Sequence, residues 1–379
     1  MYKRIPDLNK LMENKSHFLF GARASGKTTL IKSSLKNAQI IDLLHVQTHA
    51  SLVRNPSVLE EMITDFGKIV VIDEVQKLPV ILDEVQRLIS NKKIRFLLTG
   101  SSARKLKHGG SNLLAGRARV ARLFPLVSAE IPDFNLLRLM NNGGLPENYD
   151  SSEPDEDLAA YTDTYLREEI KAEAVTRNIS AFVEFLDACA VSNGQEINYE
   201  SFSSDLQVSP STLKNYFQIL EDTLIGFRLS GYTKTKKRKA ISRAKHYLFD
   251  LGVTRHLAKL GKIKAGNKVF GDFFEHFIIL ELRAYLSYSR KSLKMSYWRS
   301  TSQFEVDLLI EDRVAIEIKA THTPGDKHLR GLRALKEENI FKDFFLVCTC
   351  AQPRITSDNI KILPWETFLN RLWSGQIGI

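Results

Sequence analysis

Residues Gly21-Ala22-Arg23-Ala24-Ser25-Gly26-Lys27-Thr28 have the types and spacing that cradle a polyphosphate. The glycines let main-chain N–H groups curl inward onto phosphate oxygens, the lysine reaches the outer phosphates, and the threonine hydroxyl ligates Mg²⁺. Thr28 and Thr29 then open a helix whose N-terminus adds partial positive charge. Further on, Asp73 and Glu74 follow the apolar run Ile69-Val70-Val71-Ile72. Asp73 is placed for a second Mg²⁺ contact, and Glu74 beside it to polarise an attacking water. A third apolar run, Ile94 to Leu98, ends in Thr99-Gly100-Ser101-Ser102, whose hydroxyls either sense a terminal phosphate or simply mark a turn.

Another constellation lies near the C-terminus. Phe304 to Ile310 and Val314 to Ala320 alternate like two strands joined by the turn Glu311-Asp312-Arg313. Side-chain parity puts Val306, Leu308 and Ile310 on one face and Asp307 on the other. In the partner strand, Val314, Ile316 and Ile318 oppose Glu317 and Lys319. Two carboxylates and an ammonium would thus converge, with Asp307 and Glu317 as hard ligands for Mg²⁺ or Mn²⁺ and Lys319 orienting a water. A third acid is expected on the helix read over 271–286. Glu275 shares a stripe there with Ile278, Ile279, Leu282 and Leu286. Glu281 is the alternative, or pairs with a nearby arginine.

The elements that must position these residues read as strands alternating with helices, such as Val80 to Ser90, which implies a parallel α/β sheet with right-handed crossovers. An acidic stretch, Asp150 to Asp157, reads as an exposed connection. Helical patterning follows over Tyr161 to Ala174 and Ala181 to Val191. Two short helices then flank Gln207-Val208-Ser209, with Ser209 as N-cap and Pro210 in the first turn, before a strand from Ile225 to Leu229. Helix, turn, helix, strand is a winged-helix pattern. The basic run Tyr232 to Lys239, with Arg243 and Lys245, stands at the wing position and suits phosphate contacts. The chain closes with a strand and helix over Ile362 to Trp373.

At 379 residues, 43% hydrophobic and 26% charged, the chain has the length for two or three domains. A net charge of +10 favours a polyanionic partner. The three cysteines, Cys189, Cys348 and Cys350, are too few for a disulfide framework or a zinc finger. No signal peptide opens the chain and no apolar run approaches membrane-spanning length, so the expectation is a cytoplasmic protein without a membrane partner.

The phosphate loop, Val71-Ile72-Asp73-Glu74-Val75-Gln76, Leu98-Thr99-Gly100-Ser101-Ser102, Leu114-Ala115-Gly116-Arg117 and Gly143-Gly144-Leu145-Pro146-Glu147 occur in that order. Together they resemble the bacterial and archaeal AAA+-type ATPases that carry a restriction-endonuclease-like C-terminal domain. The resemblance covers essentially the whole chain. It implies an ATPase domain over 1–140, a helical lid and winged helix over 141–245, and a nuclease-like α/β domain over 246–379. Asp73 and Glu74 become the Walker B pair, Ser101 or Thr99 the sensor, and Arg117 a contact to the γ-phosphate in cis or from a neighbouring copy. Glu275, Asp307, Glu317 and Lys319 match the PD-(D/E)xK pattern in order, with Val306 where a proline often stands. The implied cofactors are ATP and Mg²⁺, with Mn²⁺ an alternative at the second site. The implied partner is DNA rather than RNA, with a homo-oligomer left open. A catalytically silent C-terminal domain in an ATP-gated regulator, and a protein-remodelling ATPase, are the competing readings.

Overall fold

The structure is a computed structural model that describes residues 1–102, 104, 106, 114, 116–166 and 179–379. Ala115 of the quoted Leu114–Arg117 motif, and most of the helix expected over 161–174, lie outside those residues. Within them, Tyr161–Leu166 forms a π-helical turn.

Five parallel strands form the first sheet: β1 (Ser16–Phe20), β2 (Gln39–Asp42), β3 (Ile69–Asp73), β4 (Arg95–Gly100) and β5 (Ala118–Arg122), in the order β2-β3-β4-β1-β5. The central strands are apolar at nearly every position because both faces are covered. Phe18, Phe20, Val70, Ile72, Phe96 and Leu98 pack with helix Ile81–Lys92. Leu19, Val71 and Leu97 face the other way, onto Leu30 and Ile31 of helix Lys27–Ser34 and onto Leu8 and Met12. Polar chemistry is thereby pushed to the carboxyl ends of β1, β3 and β4, where ligands bind in such sheets. β5 is one of the two edge strands and leaves most of its residues in contact with solvent.

The middle of the chain supplies helices Ile179–Val191, Tyr199–Leu206 and Pro210–Asp222. Asn198 caps the second by accepting from the N–H groups of Glu200 and Ser201, and Ser209 caps the third by accepting from Thr212 N–H at 3.2 Å. Phe182, Phe185, Tyr216 and Phe217 interlock between these helices with ring centroids 4.8–5.5 Å apart.

An eight-stranded sheet completes the fold: β6 (Gly226–Gly231), β7 (Lys245–Leu248), β8 (Met295–Arg299), β9 (Glu305–Ile310), β10 (Val314–Lys319), β11 (Asp343–Cys348), β12 (Arg354–Ile355) and β13 (Lys361–Pro364), in the order β12-β13-β11-β10-β9-β8-β6-β7. β8, β9 and β10 run antiparallel, and β11 joins β10 in parallel after helix Arg330–Lys336. The long helix Lys268–Tyr288 covers one face. β6 joins this sheet through Ser230 and Gly231 against β8, so a division of the chain at 245/246 passes through the first residues of β7.

Two expectations about the hairpin change. Both of its faces are buried, so the face that carries Asp307 and Glu317 is not left open to solvent. Val306 also leaves the face of Leu308 and Ile310 and packs with Leu309 and Ala315, next to a register irregularity between β8 and β9.

Among the described residues Glu281 pairs with no arginine. Its carboxylate accepts from Ser128 N–H at 2.6 Å, Ser128 Oγ at 2.8 Å and Trp373 Nε1 at 2.8 Å, tying helix Lys268–Tyr288 to the segment after β5. Burial pushes this carboxyl up to about 7, against the pull of those three donors. A carboxyl whose folded pKa is raised makes the fold lose stability as pH climbs from the unfolded value, 4.5, to about 7. Glu281→Gln is therefore expected to gain on the wild type by up to about 3 kcal/mol across that window and to gain nothing more above it. Urea unfolding of both proteins at stepped pH reads this directly, and parallel pH profiles would refute it.

Candidate functional site

The phosphate loop joins β1 to helix Lys27–Ser34. Gly26 sits at φ +90 immediately before the helix, a conformation that glycine reaches without strain, and Ala24 at φ +61. Lys27 is buried, and its Nζ donates to the carbonyls of Gly21 at 2.8 Å and Ala22 at 3.1 Å. Ser25 Oγ is buried inside the loop with no hydrogen-bond partner among the described residues. Across the sheet edge, Thr28 Oγ1 donates to Asp73 Oδ2 at 3.3 Å and Thr99 Oγ1 donates to Asp73 Oδ1. Thr99 also accepts from the N–H of Glu74 at 3.3 Å. Loop, Asp73, Glu74 and the tip of β4 thus form one hydrogen-bonded constellation.

Glu74 stands in the left-handed region at φ +59. Its carboxylate accepts from Gln76 Nε2, and the same amide donates to Ser101 Oγ at 3.0 Å. Gln76 is buried and bridges the carboxylate to the strand tip, a role that spacing alone does not announce. Arg4 is a second residue that sequence reasoning passed over. Its guanidinium donates to the carbonyls of Ser25 at 2.7 Å and Phe124 at 2.6 Å and pairs with Glu130 at 2.9 Å, bracing the loop from the N-terminal segment. Beside it lies a groove of about 820 Å³ lined by Tyr2, Arg4, Gly26, Thr29, Pro146 and Asp150, among others. Arg23 is exposed, and its carbonyl accepts from Tyr161 Oη at 3.3 Å.

Arg117 is not brought to the loop. The parallel register pairs Ser16 with Ala118, so Arg117 stands at the amino end of β5, a strand's length from Gly21. There its Nε donates to Ser90 Oγ at 3.0 Å.

In the C-terminal sheet, Lys319 Nζ lies 3.1 Å from Asp307 Oδ2 and 2.8 Å from Glu317 Oε1. Asp307 Oδ2 also accepts from Ile318 N–H at 2.7 Å. Glu317 Oε2 is buried with no hydrogen-bond partner among the described residues. Burial, and then the charge of Asp307, push the Glu317 carboxyl well above the usual range. Burial would lower Lys319, but the two acids outweigh it and raise its affinity for the proton.

Glu275 approaches from helix Lys268–Tyr288 and is already engaged. Its Oε1 accepts from Tyr247 Oη at 2.7 Å and pairs with Lys245 at 3.3 Å. Lys245, buried at 5% exposure, also pairs with Glu305 at 2.7 Å. Among the described residues no group of three or more His, Cys, Asp or Glu side chains is disposed to hold a metal ion. Asp307, Glu317 and Lys319 therefore come together as the hairpin phase predicts, while Glu275 is held by a lysine and a tyrosine that sequence reasoning did not connect to it.

The run from Tyr232 to Lys239 is not a free cationic loop. Lys234 pairs with Asp312 at 2.8 Å and Arg238 with Glu337 at 2.8 Å. The Glu338 carboxylate accepts from the N–H groups of Lys236, Lys237 and Arg238 at 2.8–3.1 Å. The side chains of Lys236, Lys237 and Lys239 remain exposed. Cys189, Cys348 and Cys350 are free and buried. Among the described residues no helix is long and apolar enough to cross a membrane.

Comparison with known proteins finds three domain matches along the chain. Residues 13–131 match an AAA domain, 133–264 a domain of unknown function (DUF8612) and 270–368 a second domain of unknown function (DUF4143). Uncharacterized proteins of Mycobacterium bovis and Mycobacterium tuberculosis are each 26% identical over 319 residues, spanning 81% of this chain and 70% of theirs. A chain from a structure of Drosophila ORC bound to AT-rich DNA and Cdc6 overlaps 66% of this chain and 88% of its own length, at 12% identity and a TM-score of 0.23. A likeness of that degree carries no functional inference. The AAA match encloses the phosphate loop, Asp73, Glu74 and Ser101, so the N-terminal third is an AAA-type P-loop domain, and the carboxylate–lysine centre falls inside the DUF4143 match.

Proposed function

We propose that the chain is an ATP-hydrolysing protein that handles nucleic acid, DNA in preference to RNA, and that its C-terminal domain is a divalent-ion-dependent phosphodiesterase. The observation that carries the first half is the constellation of loop, Asp73 and Glu74 at one edge of a parallel sheet. The loop fits a triphosphate. Lys27 Nζ bonds carbonyls of its own loop, and a phosphate oxygen would replace them as its partner. Ser25 Oγ has hydrogen-bonding capacity to spare inside the cradle. Thr28 and Asp73 already share a hydrogen bond and form the oxygen pair that would hold Mg²⁺, which when bound neutralises charge on the phosphates. Glu74 takes a proton from water, Gln76 fixes its direction, and Ser101 or Thr99 registers the terminal phosphate. The groove between Tyr2, Arg4 and Pro146 is the seat for the nucleoside. Since Arg117 faces away from its own loop, any service to a γ-phosphate is to that of a neighbouring copy.

The second half rests on Asp307, Glu317 and Lys319. Glu317 Oε2 is a buried, unbonded carboxylate oxygen beside a second carboxylate, a donor set suited to Mg²⁺ or Mn²⁺. Bound there, the ion supplies charge stabilisation for a phosphodiester under attack. Lys319 orients the water, and Glu275 joins when Lys245 yields it. The helix, turn, helix and β6–β7 hairpin support the winged-helix reading of the middle segment. A second reading, a catalytically silent C-terminal module in an ATP-gated regulator, is favoured by the way Lys245 and Tyr247 already engage the Glu275 carboxylate.

Lys27→Ala is expected to abolish ATP uptake in calorimetry. Glu74→Gln should keep binding while lowering kcat by about a hundredfold or more, the usual share of a general base. Binding that survives Lys27→Ala would remove the ATPase reading. For the other centre, plasmid DNA is incubated with Mg²⁺ or Mn²⁺, with and without ATP. Cutting by the wild type that disappears in Glu317→Ala supports the phosphodiesterase, and retention of DNA without cutting in every condition supports the silent module.

Burying Glu317 is a stability sacrifice of the kind active centres carry. Glu317→Gln is expected to raise unfolding free energy at pH 8 by about 1–2 kcal/mol, read by denaturant unfolding. A loss of stability instead would mark the carboxylate as a structural ion-pair member.

A further inference from the structure

Edge strand β5, helix Lys268–Tyr288 and β6 enclose a cleft that neither site uses. It has two parts, about 520 and 610 Å³, which share Arg122, Ser287 and Arg290 and so run on as one groove. Each part is on the scale of a ligand site and far larger than one phosphate ion needs. The first part is lined by Arg122, Arg228, Arg283, Arg290 and Lys291, and by no acid. The second continues past Arg119 and Lys10.

The partners of these cations decide what the groove is for. Arg228 is answered by Glu221 through bonds of 2.6 and 2.8 Å, and Arg290 donates to the Val120 carbonyl at 2.9 Å. The guanidinium groups of Arg122 and Arg283 make no hydrogen bond or ion pair among the described residues. Arg283 is half-buried and lies over the Phe227 ring at 4.0 Å, with Phe124 at 5.1 Å. Burial, and then the like charge of Arg122, disfavour the charge on Arg283 more than Glu221 favours it, and because arginine keeps its proton that penalty acts as a demand for an anion. Two unanswered guanidiniums, an aromatic floor and an elongated cationic groove match a phosphate chain better than a single ion. Planar guanidiniums fork onto phosphate oxygens, and the Phe227 ring, itself stacked on Tyr247, holds the Arg283 guanidinium in place to do so.

We propose that this cleft binds the phosphodiester backbone of a nucleic-acid strand, with Arg122 and Arg283 clasping one phosphate and Arg119 and Lys10 continuing the track. The proposal rests on the reading that the chain handles nucleic acid. It moves the main contact from the run at 232–239, which is partly neutralised, to the groove.

The test measures binding of fluorescein-labelled single-stranded and duplex 20-mers by anisotropy across a salt series. The proteins are wild type, Arg122→Gln, Arg122→Gln/Arg283→Met and Lys236→Gln/Lys237→Gln. Methionine keeps an apolar side chain over Phe227, and Arg122→Gln alone covers the case in which the double variant does not fold. The groove variants should bind about tenfold or more weakly, and the double variant should flatten the salt slope by roughly 0.7–0.9, the loss of one phosphate contact. The 236/237 variant should change little, and ATP affinity should be unaltered throughout. Wild-type binding unaffected by the groove variants, or lost instead in the 236/237 variant, overturns the groove and leaves the nucleic-acid reading standing. No strand binding by the wild type removes that reading, and the groove proposal with it. One further arm titrates inorganic pyrophosphate into Lys27→Ala, where the phosphate loop is disabled. Saturable uptake that needs Arg122, without strand binding, overturns the groove in favour of a small-anion site.

Discussion

Both sheets are covered on both faces, and this constraint governs where charge survives in the molecule. A charged side chain inside such a layer must find an opposite charge or hydrogen bonds, because an unpartnered one is prohibitively unfavourable. The outcome is a small number of dense polar knots in otherwise apolar layers. Lys27, Thr28, Asp73 and Thr99 form one at the edge of the first sheet. Lys245 with Glu275 and Glu305, and Lys319 with Asp307 and Glu317, form two more in the second. The first two knots join elements distant in sequence, so their polar groups specify how the apolar layers meet as well as supplying chemistry.

What the sequence disclosed follows from how local each feature is. The phosphate loop is contiguous, and its glycines, lysine and threonine have fixed mechanical roles, so its form was legible from Gly21 to Thr28. The caps at Ser209 and Pro210 were legible for the same reason. The convergence of Asp307, Glu317 and Lys319 followed from the two-residue period of a hairpin, although Val306 shows how one register irregularity moves a side chain to the other face. Arg117 was not legible, because its distance from the loop depends on the register of a parallel pair between β1 and β5. Lys245 read as one more cation in a basic run, since nothing nearby in sequence announces that β7 would carry it beneath Glu275 and Glu305. The neutralisation of Lys234 and Arg238 by Asp312 and Glu337 is likewise a matter of tertiary packing.

The tip of β4 also touches the helical segment. Gln76 links Glu74 to Ser101, while the next residue, Ser102, donates to the Asp222 carbonyl at 3.4 Å and Arg104 pairs with the Asp222 carboxylate at 3.6 Å. Asp222 is the last residue of helix Pro210–Asp222. The tip of β4 is thereby joined to that helix by short, buried contacts.

The placement of β6 has a further consequence. Because Ser230 and Gly231 extend the sheet that begins at Met295, the helical segment and the C-terminal layer share a single continuous slab of main-chain hydrogen bonds. Main-chain hydrogen bonds of this kind resist shear, so the β6–β7 ribbon belongs mechanically with the C-terminal layer. A swap of the C-terminal portion between relatives would have to carry the 226–248 ribbon along, or it would expose a raw strand edge ready to recruit another chain.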